Sequence, residues 1–203
     1  MIIKQLTTED TQSFCDLIVN MYSNLENLEW FSPMPYDYEN VKSIIENPRF
    51  YILGAFENDQ LIAVTSIDFK CGKLIGKIDF PKDCDTNKLV EFGFTMVRSD
   101  FRGNGIMKIL VEELSKYAKQ QGYKWAFGKV NKSNLASYNS LLRKCFYKHC
   151  DYTKPIHKKD FIELSSQEFF SKVGKENAQK TLSKYNENDT EIYADYHILI
   201  KEL

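Results

Sequence analysis

The chain lacks what a membrane protein needs: none of its apolar runs approaches the roughly 18 to 20 residues that cross a bilayer. Its start, Met1-Ile2-Ile3-Lys4-Gln5, carries no apolar h-region and no small-residue cleavage site, so no secretion signal is expected. A dominant charge is missing too. With 27 Lys and Arg against 28 Asp and Glu, the formal net charge is −1, and no global basic field points to nucleic acid or an anionic membrane as a partner. The five cysteines (Cys15, Cys71, Cys84, Cys145 and Cys150) are odd in number and show no CxxC spacing. That argues against a disulfide framework or a structural zinc, and for a reduced, cytoplasmic setting. No internal repeat, low-complexity tract or linker divides the 203 residues, and their 43% hydrophobic and 14% aromatic content can close one sizeable core.

What is there alternates between strand and helix patterns. Residues 2–6 read as a short strand and Thr7-Thr8-Glu9-Asp10 as a capping-box helix start, with Phe14, Leu17, Ile18 and Met21 following at helical spacing. A second helix is predicted from about Asp37, carrying Val41, Ile44 and Ile45 until Pro48 stops it. Between the two lies an aromatic loop, Trp30-Phe31-Ser32-Pro33-Met34-Pro35-Tyr36. Residues 50–56 and 61–69 make a hairpin across Glu57-Asn58-Asp59-Gln60, and residues 73–80 read as either strand or loop. Residues 89–97 are the most strand-like. Residues 106–121 are the most helix-like, with Ile106, Leu110, Leu114 and Tyr117 in one stripe and Gly122 at the C-terminal cap. A strand at 125–130, a helix at 134–144 (Leu135, Tyr138, Leu141 and Leu142 apolar), a polar surface helix at 167–185 and a closing strand at 191–200 complete the pattern.

The strand at 89–97 runs into Arg98-Ser99-Asp100-Phe101-Arg102-Gly103-Asn104-Gly105-Ile106. A strand, a turn with two glycines and a helix start aim several unpaired backbone N–H groups at one point. Glycine at 103 and 105 lets the backbone approach a ligand closely, and the helix macrodipole adds about half a positive charge. A phosphorylated, nucleotide-like group suits that point, and Glu91 is a nearby candidate base. A plain strand-to-helix turn would also use flexible residues, so the surrounding order decides between the two.

Arg102-Gly103-Asn104-Gly105-Ile106-Met107 resembles the Gln/Arg-x-x-Gly-x-Gly/Ala signature of the GNAT superfamily of acyl-CoA-dependent N-acyltransferases, with Met107 where Gly or Ala is usual. Asn134-Leu135-Ala136-Ser137 leading to Arg143-Lys144-Cys145-Phe146 is similar to that family's second motif, with Arg143 in place of lysine and Cys145 in place of glycine. The resemblance covers about residues 1–150. It implies one α/β (α+β) domain over 1–203: a mixed, mostly antiparallel central sheet flanked by helices and splayed at the cofactor site. A C-terminal helical insertion at about 165–186 and the closing strand at 191–200 would follow the core.

The resemblance further implies transfer of an acetyl group from acetyl-CoA to a primary amine of a small molecule or peptide, by direct attack in a ternary complex and without a metal. Backbone at Met96 and Val97 would pair with the pantetheine arm or donate to the oxyanion. The amides of Arg102, Gly103, Asn104, Gly105, Ile106 and Met107 would hold the pyrophosphate, and Asn134 and Ser137 would bond near the thioester. Glu91 stands eleven residues before Arg102, where many family members carry a general base. Its alternative is a strand glutamate that faces solvent or pairs with a lysine. Leu141 occupies the position of the family's acid tyrosine; Tyr138, one turn earlier, reads more as core packing, and the acid stays unassigned.

Several features stay open at this level. The aromatic loop, with Glu26, Glu29 and Asp37, is expected to line the acceptor pocket, where carboxylates would suit a cationic amine. Lys144, Lys148, Lys154, Lys158 and Lys159 form a basic stretch that is a solvated surface by default, or meets the 3′-phosphate of CoA or an acidic acceptor. His149 with Cys145 and Cys150 lacks a third partner for metal or nucleophile chemistry. The C-terminal insertion either caps the acceptor site or makes a homodimer contact. A non-catalytic acyl-CoA-binding sensor or regulatory module is the alternative to an enzyme.

Overall fold

In the computed structural model, residues 1–31, 33–71 and 74–203 are described. The sheet grows from antiparallel neighbours. β2 (Phe50–Glu57) and β3 (Gln60–Asp68) form the expected hairpin. Asn58 and Asp59 at its tip adopt positive φ (48° and 62°), the turn conformation that matches the twist of paired strands. β1 (Ile2–Gln5) adds to the outer edge of β2, and β4 (Leu89–Val97) to the inner edge of β3. β5 (Trp125–Asn131) lies parallel to β4, and β7 (Glu191–Glu202) runs antiparallel between β5 and β6 (Tyr147–His157). The order is β1-β2-β3-β4-β5-β7-β6, mixed and mostly antiparallel as expected.

Helices bury both faces. α1 (Thr11–Ser23) begins one turn later than the sequence suggests, because residues 8–10 form a 3-10 turn; the Asp10 carboxylate accepts the Thr7 N–H at 2.9 Å. α2 (Tyr38–Glu46) starts at Asp37, whose carboxylate accepts the Asn40 N–H at 3.1 Å. Phe14, Ile18 and Tyr22 of α1 and Val41 of α2 pack with Phe161 of α5 (Lys158–Ser165) and Ala178 of α6 (Lys172–Leu182) on one face of the sheet. On the other face, Ile106, Leu110 and Leu114 of α3 (Ile106–Gln120) and Leu141 of α4 (Leu135–Leu142) pack over Val90, Phe92 and Ala126.

Two irregularities open the sheet between these cores. β4 and β5 pair only from Leu89↔Trp125 to Phe92↔Gly128. Across the β3–β4 ladder the register steps from Ile67↔Phe92 to Thr65↔Thr95, so Gly93 and Phe94 together oppose Ser66. Such a bulge bends its strand, and the last residues of β4 leave β5. A slot opens there, the splay that the resemblance implies.

The sequence reading differs from the structure mainly after residue 142. β6 and α5 were not anticipated, since β6 is an edge strand whose residues are nearly all half-exposed or exposed, with only Ile156 buried. Of the expected basic stretch, Lys148 and Lys154 lie on this strand, Lys158 and Lys159 open α5, and Lys144 precedes both and pairs with Glu112. The polar helix predicted over 167–185 is confined to α6, because Ser171 caps it by accepting the Gly174 N–H at 3.0 Å. Of the apolar side expected for α4, only Leu141 is buried; Leu135 is 65% exposed. Residues 74–80 form turns with an isolated Ile75–Ile78 bridge, while Lys73, and Ser32 of the aromatic loop, lie outside the described residues.

Candidate active site

The glycine turn becomes an open cradle. Gly103 and Gly105 sit at φ 84° and 75°, and a Cβ on either would meet nothing within 4 Å. Conformation, not crowding, demands glycine there, and the space above stays clear. Gly105 is the N-cap of α3, whose ladder opens with Ile109 N–H donating to Gly105 O at 3.3 Å. The N–H groups of Ile106, Met107 and Lys108 precede that bond and face out of the helix start. Side chains brace the turn: Arg102 Nε donates to Val97 O at 3.3 Å and Asn104 Nδ2 to Phe101 O at 3.2 Å. Arg102 and Asn104 thus spend their side chains on the turn's shape.

Strand alternation separates Met96 from Val97. Arg98 N–H donates to Ile62 O at 2.9 Å. By the two-residue period of an antiparallel ladder, Met96, opposite Val64, likewise directs its N–H and C=O at β3. Val97 and Thr95 direct theirs the other way, into the slot. The Met96 side chain is buried in the α1 core.

The slot leads into a cavity of about 290 Å³. Its floor is a line of polar side chains on the α1 face. Asp68 and Glu91 are opposite partners across β3 and β4, and both are buried, 5% and 4% exposed. Each carries a cation. Arg49 grips Asp68 through two hydrogen bonds, Nε to Oδ1 at 2.7 Å and Nη2 to Oδ2. Lys129 Nζ lies 2.7 Å from Glu91 Oε1. Glu91 therefore pairs with a lysine, one of its two anticipated states, yet Oε2 has no hydrogen-bond partner among the described residues, and neither has Ser66 Oγ. Burial, together with the charges of Glu91 and Asp68, pushes the Cys71 thiol beneath this floor up to about 12.

The walls differ on the two sides. Towards α3 and α4 stand Met107, Val111, Ser137, Leu141 and Asn134, whose Oδ1 accepts the Ser137 N–H at 3.1 Å as the cap of α4. Met107, the departure from the glycine signature, thus faces the cavity. Towards α1 stand Trp30, Phe31, Pro33, Met34, Phe50, Phe94 and Tyr196, with Lys154 alongside. The aromatic loop lines the cavity as expected, but Glu26, Glu29 and Asp37 are not among its lining residues. Glu29 turns instead to Lys184 and Tyr185, both 3.3 Å from Oε1, and Asp37 caps α2. Tyr138 does not line the cavity either; its ring packs on His197, centroids 5.0 Å apart.

The loop is held from two directions. Trp30 Nε1 donates to Ser133 Oγ at 2.7 Å, and Asn131 Nδ2 to Glu29 O at 3.2 Å, tying it to β5 and the α4 turn. From the C-terminal insertion, Ser171 Oγ donates to Ser23 O at 2.7 Å and Asn177 Nδ2 to Leu25 O at 3.3 Å. The insertion thus braces the cavity's aromatic wall. Sequence reasoning overlooked Ser66, Asp68, Lys129 and Arg49. The available signal was a single charge in a strand otherwise without one, Lys129 after Trp125-Ala126-Phe127-Gly128 and Asp68 after Val64-Thr65-Ser66-Ile67.

Among the described residues no group of three or more His, Cys, Asp or Glu is placed to hold a metal, and no helix is long and apolar enough to cross a membrane. A family model for the acetyltransferase (GNAT) family matches residues 15–148. No curated protein sequence matches the chain. Among solved structures, a ribosomal-protein-alanine N-acetyltransferase from Brucella melitensis aligns over 100% of both chains at 17% identity and a TM-score of 0.65. YncA from Salmonella typhimurium, solved with its cofactor acetyl-CoA, aligns over 100% of this chain and 94% of its own at 13% identity and a TM-score of 0.64. The PaiA N-acetyltransferase from Thermoplasma acidophilum, solved with coenzyme A, covers 100% of both at 14% and 0.58. At such identities the likeness is one of fold.

Proposed function

The chain belongs to the GNAT acetyltransferase family, and we propose that it transfers an acetyl group from acetyl-CoA to a primary amine with Glu91 as general base. One observation carries this reading. Glu91, whose buried Oε2 has no hydrogen-bond partner among the described residues, lines the same cavity as Met107 of the glycine turn. A cytoplasmic setting, where thiols stay reduced, agrees with the five free cysteines.

The cradle fits a pyrophosphate. Its glycines leave space where a Cβ would stand, and its first-turn N–H groups have no helical acceptor. The amides from Arg102 to Met107 hold that group, and the Val97 N–H and C=O pair with the pantetheine arm along the open edge of β4. Asn134, whose Oδ1 is committed to the Ser137 N–H, uses its NH₂ group near the thioester, and the Ser137 hydroxyl lies beside it. Acetyl-CoA, when bound, supplies an acyl group already activated as a thioester.

Only a free amine is nucleophilic, so an ammonium acceptor must first lose a proton. Glu91 Oε2 takes it, while Lys129 holds Oε1 and fixes the carboxylate's orientation. Thr95, which lines the cavity and directs its N–H into the slot, donates to the carbonyl oxygen as negative charge builds there. The departing thiol, with an ordinary pKa of about 8.5, needs no dedicated acid at neutral pH.

The test is incubation with acetyl-CoA and a panel of primary amines, following thiol release alongside thermal stabilisation. Acetyl-CoA raises the melting temperature, and at least one amine releases thiol. Glu91→Gln keeps the stabilisation and loses about 10²- to 10⁴-fold in turnover. Met107, standing in the cavity, favours a second reading, a binder without turnover, which stabilisation without thiol release on any amine would establish. An absence of stabilisation would sink both.

A further inference from the structure

Two atoms on the cavity floor have no use in the fold itself. Ser66 is 0% exposed, yet its hydroxyl, like Glu91 Oε2, has no hydrogen-bond partner among the described residues. Leaving buried polar atoms unpaired costs stability, so two of them on one cavity floor point to a role beyond the fold, in catalysis or in holding a ligand. The two lie on the same face: Ser66 is two residues from Asp68 along β3, and Asp68 opposes Glu91. Gly93 keeps the hydroxyl open, since a Cβ at that position would lie 2.5 Å from Ser66 Oγ. The bulge therefore bends β4 and places a residue without a side chain against Ser66 Oγ.

Glu91 Oε2 only accepts hydrogen bonds, and the hydroxyl can accept alongside it. A single group with at least two donors, such as an ammonium, satisfies both atoms at once. Beyond it the cavity is walled by half-buried rings, those of Trp30, Phe31, Phe50 and Phe94, with Met34 beside them. Resting on the acetyl-transfer reading, we propose that Ser66 Oγ and Glu91 Oε2 together hold the acceptor's ammonium, and that the acceptor is a small primary amine on a ring-sized apolar body. Ser66 is a substrate-positioning residue, which presents the nitrogen to Glu91. A volume of about 290 Å³, shared with the acyl end of the donor, suits a single ring better than a peptide.

Steady-state kinetics with 2-phenylethylamine, putrescine and a phenylalanyl dipeptide amide test this. The wild-type protein shows its highest kcat/KM with 2-phenylethylamine. Ser66→Ala raises the KM for that amine about tenfold or more, the loss expected for a hydrogen bond to a charged group. It changes kcat far less, leaves the KM for acetyl-CoA alone and does not lower the melting temperature. Ser66→Thr, which keeps a hydroxyl, restores most of the affinity, and Gly93→Ala, which covers Ser66, reproduces the defect. An unchanged amine KM in Ser66→Ala, or a preference for putrescine or the dipeptide, overturns the proposal. If no amine releases thiol, the transfer reading fails by itself. Calorimetric binding of 2-phenylethylamine to the protein saturated with CoA, weakened by Ser66→Ala, then still decides the site.

Discussion

The two sides of the cavity are built from different materials. The side under α3 is backbone: two glycines at positive φ, the first N–H groups of a helix and the unpaired edge of β4. The side under α1 is made of side chains: two carboxylates with their cations, a bare hydroxyl and a wall of rings. Backbone offers the same donors whatever its neighbours, so the first side reads as a motif in the sequence. The second exists only once three strands pair in register, which brings Ser66, Asp68, Glu91 and Lys129 together.

The sharpest way to break the side-chain half is Lys129→Met. It strands the Glu91 carboxylate without its cation, a change that costs 3–5 kcal/mol for a fully buried pair. Lys129 keeps 30% of its side chain exposed, so about 2 kcal/mol is expected, a fall in melting temperature of about 4–8 °C for a chain of this size. Glu91→Gln added to Lys129→Met recovers most of that fall by removing the orphaned charge. A Lys129→Met protein as stable as wild type would show that the pair does not hold the floor.

The backbone half breaks at Gly105→Val. A β-branched residue at φ 75° costs about 1–2 kcal/mol, and the crowded turn loses the stabilisation that acetyl-CoA confers. Calorimetry of acetyl-CoA and of 2-phenylethylamine keeps the halves apart, because Gly105→Val weakens the first and spares the second.

The smallest effect lies outside both halves. Hydrogen bonds from Lys148, His197 and Lys132 hold the Asp151 carboxyl well below the usual carboxylate range. A lowered folded-state pKa means that the contribution is fully present above the unfolded value of about 3.9 and is lost as pH falls through the folded one. Asp151→Asn therefore lowers the melting temperature slightly at pH 7, and the difference from wild type closes as pH falls below about 4.

What the sequence disclosed follows the same division. The hairpin at Asn58-Asp59, the stripe of α3 and the two glycines are local patterns, and each stands where its pattern placed it. Glu91 was singled out by its spacing from Arg102, but its cation was not, because Lys129 belongs to another strand. Glu29 looked like a pocket carboxylate from its place among aromatics. Only the fold shows that Lys184 and Tyr185 draw it away. β6 was missed because an edge strand buries so little that its alternation carries almost no apolar signal.

The family model stops at residue 148, ahead of most of β6 and all of α5, α6 and β7. Yet Ser171 and Asn177 hold the segment at the end of α1, and Lys184 and Tyr185 hold Glu29, next to Trp30. Two chains identical through every motif residue but differing in this tail would present differently shaped walls to the same amine. On the proposed reading, the sheet and the glycine turn hold the donor, and the tail braces the wall that faces the acceptor. If that reading holds, exchanging tails between such chains changes the preferred amine and leaves the acetyl transfer itself alone.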